Sequence, residues 1–303
     1  MKPESPPPPS GPLQWAHWLR HELRLFFVAL QFLTRVPVPA WVGWRPEWMP
    51  ESLRHYPMVG VVVGTFGAGV LAVAMLWWPP AVAVGLSMAA TVWLTGGFHE
   101  DGWADTCDGL GGAVTRERAL DIMKDSRLGT YGALGLMLLL GLKATVLTTM
   151  VTPRVSELNS AESSHVHQVL LAWTMMAMVW CHCLSRLVPV VLMQLLPYAG
   201  DIDHAKAKPL ALQVSGGTVT AAIGWTGLIS ALLWAGWGWS GWPTGTLVQA
   251  LGQTLVAAVV GATLCQRWFA RRLGGFTGDT LGASQQLCEL MCLLAWLNVV
   301  HPA

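Results

Sequence analysis

"ALGLMLLLGLKATVLTTMV", residues 133–151, carries one charge, Lys143, in a run about as long as the ~20 residues a helix needs to cross hydrocarbon. One such run could be a buried helix in a large soluble core. Comparable runs recur at about 57–78, 80–97, 168–195, 219–240, 244–264 and 284–300. Seven in one chain specify an all-α, polytopic helical membrane protein with about seven membrane segments. The composition agrees, because only 12% of residues are charged and 53% are hydrophobic, whereas soluble domains carry about 25% charged residues.

Outward from these runs the chain has few soluble features. Residues 1–19, with "PESPPPPSGP" at 3–12, form a low-complexity tail expected to be disordered and polyproline-like. Residues 20–303 form one helical membrane domain, in which residues 25–36 are a surface or re-entrant helix. That choice makes the loop charges one-sided: the N-terminal part and the segments 98–132, 196–218 and 265–283 hold fifteen of the eighteen Lys and Arg. Basic loops stay in the cytoplasm, so these loops face it, and the protein is expected in the inner (cytoplasmic) membrane as a multi-pass protein whose partner is the lipid bilayer. The net charge of +1 offers no basic field for nucleic acid. The six cysteines form no CxxC pair and read as small buried hydrophobes. The oligomeric state is open, a homo-oligomer included.

Charge concentrates in one of those loops. In "HEDGWADTCDG", 99–109, Asp101, Asp105 and Asp108 fall at i, i+4 and i+7, on one face if helical. Carboxylates that merely solvate a helix end would be interleaved with cations, yet residues 99–115 contain no Lys or Arg. Hard cations such as Mg²⁺ take oxygen ligands and leave places for water and substrate phosphate. Glycines 109, 111 and 112 then break the chain before "RALDIMKDSRLGTYG", where Asp121 and Asp125 lie at i, i+4 beside Lys124 and Arg127. Two acidic faces converging on Mg²⁺, with cations for phosphate oxygens, suit phosphoryl transfer, which depends on positioning and charge neutralisation. A divalent-cation or small-molecule transporter would explain the same spans and acids, but transporters place their sites near the midplane on broken helices.

Asp105, Asp108, Asp121 and Asp125, with Gly109, resemble the D-x-x-D-G…D-x-x-x-D signature of the CDP-alcohol phosphotransferases, although that family's Ala-Arg after the glycine is missing. A longer set of blocks is more specific. "FLTRVPVP" (32–39), "YPMVGVVVG" (56–64), "GGFHEDGWADTCDGLGG" (96–112), "IMKDSRLGTYGALGL" (122–136), Ser185-Arg186 and "RRLGGFTGDTLGA" (271–283) resemble, in order, the adenosylcobinamide-GDP ribazoletransferase (cobalamin synthase) family. The resemblance implies that a GDP-activated corrinoid, adenosylcobinamide-GDP, is joined to α-ribazole or its 5′-phosphate with Mg²⁺ as cofactor and GMP released. It also implies attack by the ribazole 5′-oxygen on the corrinoid-side phosphorus, with Asp101, Asp105, Asp108 and Asp121 on the metal. Asp125 would be the base, needed less where the acceptor is the 5′-phosphate. Where the family carries Tyr-Ala-Arg, this chain reads Tyr198-Ala199-Gly200, so a loop arginine is missing.

Other residues take roles beside these. Lys124 and Arg127 are expected to hold substrate, as are Thr277 and Asp279 in the glycine-rich turn "GGFTGD", whose backbone N–H groups could cradle an anion. Lys143 and Arg186 sit within apolar spans, where ionisable groups are costly and usually face a polar interior; both are expected to reach substrate. Arg35, before the proline turn of "FLTRVP", brings a further cation back toward the site.

Overall fold

Apolar run length sets the architecture. The computed structural model describes residues 12–112, 115–153, 163–200, 214–239 and 244–300, and every named element among them is helical. These are α1 (Pro12–Leu33), α2 (Trp48–Ser52), α3 (Tyr56–Ala74), α4 (Pro80–Thr95), α5 (Phe98–Gly112), α6 (Arg116–Lys124), α7 (Thr130–Val151), α8 (Ser163–Leu195), α9 (Gly216–Trp239), α10 (Thr244–Leu273) and α11 (Gly278–Val300). Six stretches are long and apolar enough to cross a membrane: Trp48–Ala74, α7, and most or all of each of α8 to α11. The chain is a multi-pass membrane protein.

The seventh expected segment, 80–97, takes another form. Gly96 and Gly97 both adopt a φ of +71°, a left-handed conformation that costs glycine little. They end α4 after 16 residues, and α5 leaves at 89° to it. At 1.5 Å per residue α4 is about 24 Å long, short of the ~30 Å hydrocarbon core. The acidic segment is therefore not a loop. It is α5 followed by α6, both folded back against the bundle.

At the other end of the chain the tail is shorter than expected, since α1 already begins at Pro12. Its second half is buried at Leu25, Val28, Ala29 and Leu33, whereas Trp15, Trp18, Leu19 and Leu23, which precede them, are exposed. Glu22 fastens it by pairing with Arg54 and His55, each at 3.0 Å. It is a surface helix tied to the start of the first span.

Close helix packing comes from missing side chains. A Cβ at Gly60 or Gly64 of α3 would strike the carbonyls of His182 and Met178 on α8, so these backbones touch in the small-xxx-small manner of membrane helices. Gly102 does the same for α5, where a Cβ would come 2.7 Å from the Asp279 carbonyl oxygen of α11. Trp77, Trp78 and Trp234 stay exposed at or near helix ends, as interfacial tryptophans do. The bundle thus presses α5 against the first turn of α11.

Candidate active site

One end of the bundle gathers the segments of interest. From α6, Arg116 donates to the carbonyl of Leu273 at 2.7 Å and of Ala199 at 2.8 Å. From α10, Arg272 donates to the Leu110 carbonyl at 2.9 Å, satisfying one of the carbonyls left open at the end of α5. Phe276 N–H donates to Pro197 and Ala199 N–H to Phe276, at 2.9 and 2.8 Å. The segments expected on one membrane side, 98–132, 197–199 and 273–277, are thus laced together. Residues 113–114 and 201–213 lie outside the described residues.

In the glycine-rich turn, Thr277 is a cap. Its hydroxyl accepts from the Thr280 N–H at 3.2 Å, and its own N–H donates to the Thr280 hydroxyl at 2.8 Å. The first turn of α11 takes both of those partners, and Thr277 is buried. Asp279 follows in that first turn, half-buried, where a carboxylate suits the helix dipole.

The three acids of α5 share a face as their spacing predicts, but they are not equivalent. Asp101 is exposed and Asp105 half-buried. Asp108 accepts the Gly129 N–H at 2.7 Å and the Gly132 N–H at 2.8 Å, one on each oxygen. These N–H groups belong to the start of α7, which has no carbonyls of its own to offer them. Asp108 is therefore also a clamp between α5 and α7. Asp125 also departs from the pattern: it is the C-cap of α6, with an extended backbone, so it leaves the helical face of the exposed Asp121. Arg127 hydrogen-bonds the Asp125 carboxylate through its side chain and its backbone N–H, which holds the carboxyl down at about 2. A carboxylate that acidic is a weak proton acceptor.

Two clefts flank this face. One, of about 590 Å³, contains Asp108, Asp125 and Arg127 with Arg118, Thr130 and Tyr131. The other, of about 770 Å³, contains Asp101 and Glu100 with Arg35, Phe32, Phe98 and Leu128. Arg35 is fixed there, since its N–H donates to Leu94 at 2.8 Å and its guanidinium lies over Gly96, where a Cβ would come 2.8 Å from Nε. The structure thus divides the expected cations: Arg127 joins one cleft, Arg35 the other, and Lys124 is exposed in the last turn of α6.

Lys143 and Arg186 join neither. Lys143 pairs with Glu289 and donates to Gln286 at 2.9 Å. Glu289 also meets His182 at 3.0 Å and Gln285 at 2.6 Å, while Arg186 lies 3.1 Å from His182 Nδ1. Gln286 in turn donates to Glu100 at 2.9 Å. Lys143, Arg186 and Glu289 are 6%, 2% and 2% exposed, so the two cations are enclosed rather than open to substrate. Glu289, a carboxylate in the last span, pairs with Lys143, and Glu100 beyond Gln286 supplies a second negative charge.

Comparison with known proteins adds identity to this geometry. A family model described as cobalamin-5-phosphate synthase matches residues 25–297, from α1 into α11. The chain belongs to the cobalamin-5-phosphate synthase family. Adenosylcobinamide-GDP ribazoletransferase of Leptothrix cholodnii is 57% identical over 92% of this chain and 97% of its own length. The proteins of that name from Polaromonas naphthalenivorans and Shewanella pealeana are each 41% identical, over 88% and 92% of this chain and 95% and 96% of their own. No solved structure matches.

For this cobalamin-5-phosphate synthase family member, a metal has to fit the acids actually displayed. Among the described residues no three His, Cys, Asp or Glu side chains converge on one point. Mg²⁺ is commonly held by one or two carboxylates and completed by water and substrate phosphates. The hard oxygens of Asp101 and Asp105, one turn apart on α5, fit an ion that arrives with its phosphates and do not form a complete cage.

Sequence reasoning missed Arg118 and Glu289. Arg118 could have been found, because Arg118 and Asp121 are three apart on one face of α6. Glu289 could have been found by asking which acid balances Lys143 and Arg186 inside the spans.

Proposed function

We propose that the chain transfers the adenosylcobinamide phosphate of adenosylcobinamide-GDP to α-ribazole or its 5′-phosphate, releasing GMP, at the inner membrane with the acidic helices toward the cytoplasm. The observation that carries this reading is the 57% identity, over nearly the whole chain, to a protein of that name. The orientation is supported by the fifteen basic residues on one side. A transporter is not supported: the relatives compared above carry the transferase name, and the acids stand at one end of the bundle rather than along a path across it. The bend at Gly96 shapes a surface cleft, not a midplane site.

The family description names a product that keeps a 5-phosphate. An oxygen already esterified cannot be the nucleophile, which corrects the expected attack by the 5′-oxygen. Attack instead comes from a ribose hydroxyl, in line, on the corrinoid-side phosphorus. The new O–P bond forms as the bond to GMP breaks, and the hydroxyl proton must leave with either acceptor. Asp125 serves as base only after Arg127 leaves it for a substrate phosphate, because the pair as it stands makes the carboxylate a poor acceptor. Asp101 and Asp105 would hold Mg²⁺, with Asp121 closing from α6, and Asp108 would keep α5 in register with α7. Bound Mg²⁺ would neutralise phosphate charge and polarise the phosphoryl oxygens.

The test is GMP release by the purified protein in lipid nanodiscs. Asp105→Asn should lower turnover by roughly 10²–10³, the scale of losing one group that stabilises the transition state, with its melting temperature unchanged. Full activity in that variant would rule out the metal role for Asp105.

A further inference from the structure

The two clefts differ in a way that sorts two substrates, an assignment that rests on the transferase reading. We propose that the cleft of Arg35 takes the acceptor nucleotide and the cleft of Arg118 and Arg127 takes the diphosphate of the donor, with Asp105 at the boundary between them. Asp101 lines the first cleft and Asp108 the second. Asp105 lies between these on the same helical face, about 6 Å along the axis from Asp101 and about 4.5 Å from Asp108. The far wall changes sides within one residue step, since Leu128 lines the first cleft while Arg127 and Gly129 line the second. Asp105 is the carboxylate between the two linings along α5.

Charge and shape decide which substrate goes where. The acceptor carries an aromatic base, a ribose and, when phosphorylated, one phosphate. The Arg35 cleft offers an aromatic wall of Phe32 and Phe98, edge to face at 5.4 Å, and a single guanidinium. Glu100, held from behind by Gln286 at 2.9 Å, suits a ribose hydroxyl. A single guanidinium matches one phosphate better than a diphosphate. In the other cleft, two guanidiniums match the two phosphates that join the donor's halves, their planar forks being suited to phosphate oxygens. Asp108 there is already engaged by backbone N–H groups, and Arg127, on leaving Asp125 for a phosphate, is the second guanidinium. Arg35 thus becomes the residue that tells phosphorylated acceptor from unphosphorylated.

Initial rates of the full chain in nanodiscs test this, varying α-ribazole, its 5′-phosphate or adenosylcobinamide-GDP while the other substrate saturates. Arg35→Gln should raise KM for the phosphorylated acceptor about tenfold or more, the loss expected for one charge-assisted hydrogen bond. KM for α-ribazole and for the donor should change less than about twofold. Arg35→Lys, which keeps the charge, should retain part of the preference. Arg118→Gln should raise donor KM and leave both acceptors unchanged, and this arm decides the matter even if Arg35→Gln does not fold. A raised donor KM in the Arg35 variant, equal losses with the two acceptors, or an acceptor effect in the Arg118 variant overturns the partition. Wild-type protein that turns over no donor at all overturns the reading beneath it.

Discussion

The buried cluster of α7, α8 and α11 and the acidic end of the bundle use the same residue types to opposite ends. In the cluster, Lys143 and Arg186 face Glu289 and, through Gln286, Glu100, so the formal charges cancel among neighbours. On α5 three carboxylates share a face, and Asp108 among them has both oxygens claimed by backbone N–H groups. A charge enclosed by its partners stabilises or specifies a fold. Charge displayed in excess on a surface is available for a ligand. Position in a membrane span therefore said less about function in this chain than whether the local charges close.

This contrast can be broken at its strongest point first. Glu289→Ala leaves Lys143 buried without its carboxylate and should destabilise by about 3–5 kcal/mol, whereas Lys143→Met with Glu289→Met should recover most of that loss. Unfolding in one lipid or detergent checks it, and wild-type stability in the single variant would remove the closed cluster from the argument. Next comes Asp108→Asn, which keeps one acceptor and loses the charge: about 1.5–3 kcal/mol of stability should go with it, visible as a lower melting temperature. Asp105→Asn should not share that fall. Equal melting temperatures in those two variants would remove the clamp.

The smallest effect lies at the exposed pair. Asp125 is held at about 2 by Arg127, below its ordinary 3.8, so the pair's contribution is present above the ordinary value and lost as pH falls through about 2. The difference in melting temperature between wild type and Arg127→Gln should be constant above about pH 5 and shrink on acidification. A difference that widens toward low pH contradicts the pairing.

Much of the fold was legible because run length is a local property. The 133–151 run became the greater part of α7, and Arg116 and Arg272 tie α5, α6 and the end of α10 together at one end of the bundle. Less legible was the 80–97 run, whose hydropathy reads as one crossing. Its end is decided by two glycines in the left-handed region, a backbone property that hydropathy does not register. The run at 244–264 continues as helix to Leu273, which puts Arg267, Arg271 and Arg272 on α10 rather than in a loop. At the site, spacing alone put Asp101, Asp105 and Asp108 on one face. Spacing could not show that Asp108 would meet Gly129 and Gly132, because those N–H groups lie more than twenty residues away and approach only when α7 docks. The cap at Thr277 was hidden for a similar reason, its partner Thr280 being three residues on and as ordinary in sequence as any threonine.

The 89° turn between α4 and α5 settles how traffic reaches the chemistry. A helix continuing straight would have aimed its carboxylates along the bundle axis, and any reactant would have had to be threaded between helices. Laid crosswise, α5 presents them broadside, in clefts of about 590 and 770 Å³ that open at the rim. A macrocycle bulkier than either cleft can stay outside while only its phosphate arm enters. The joined product then leaves by the same open side, without the bundle having to part.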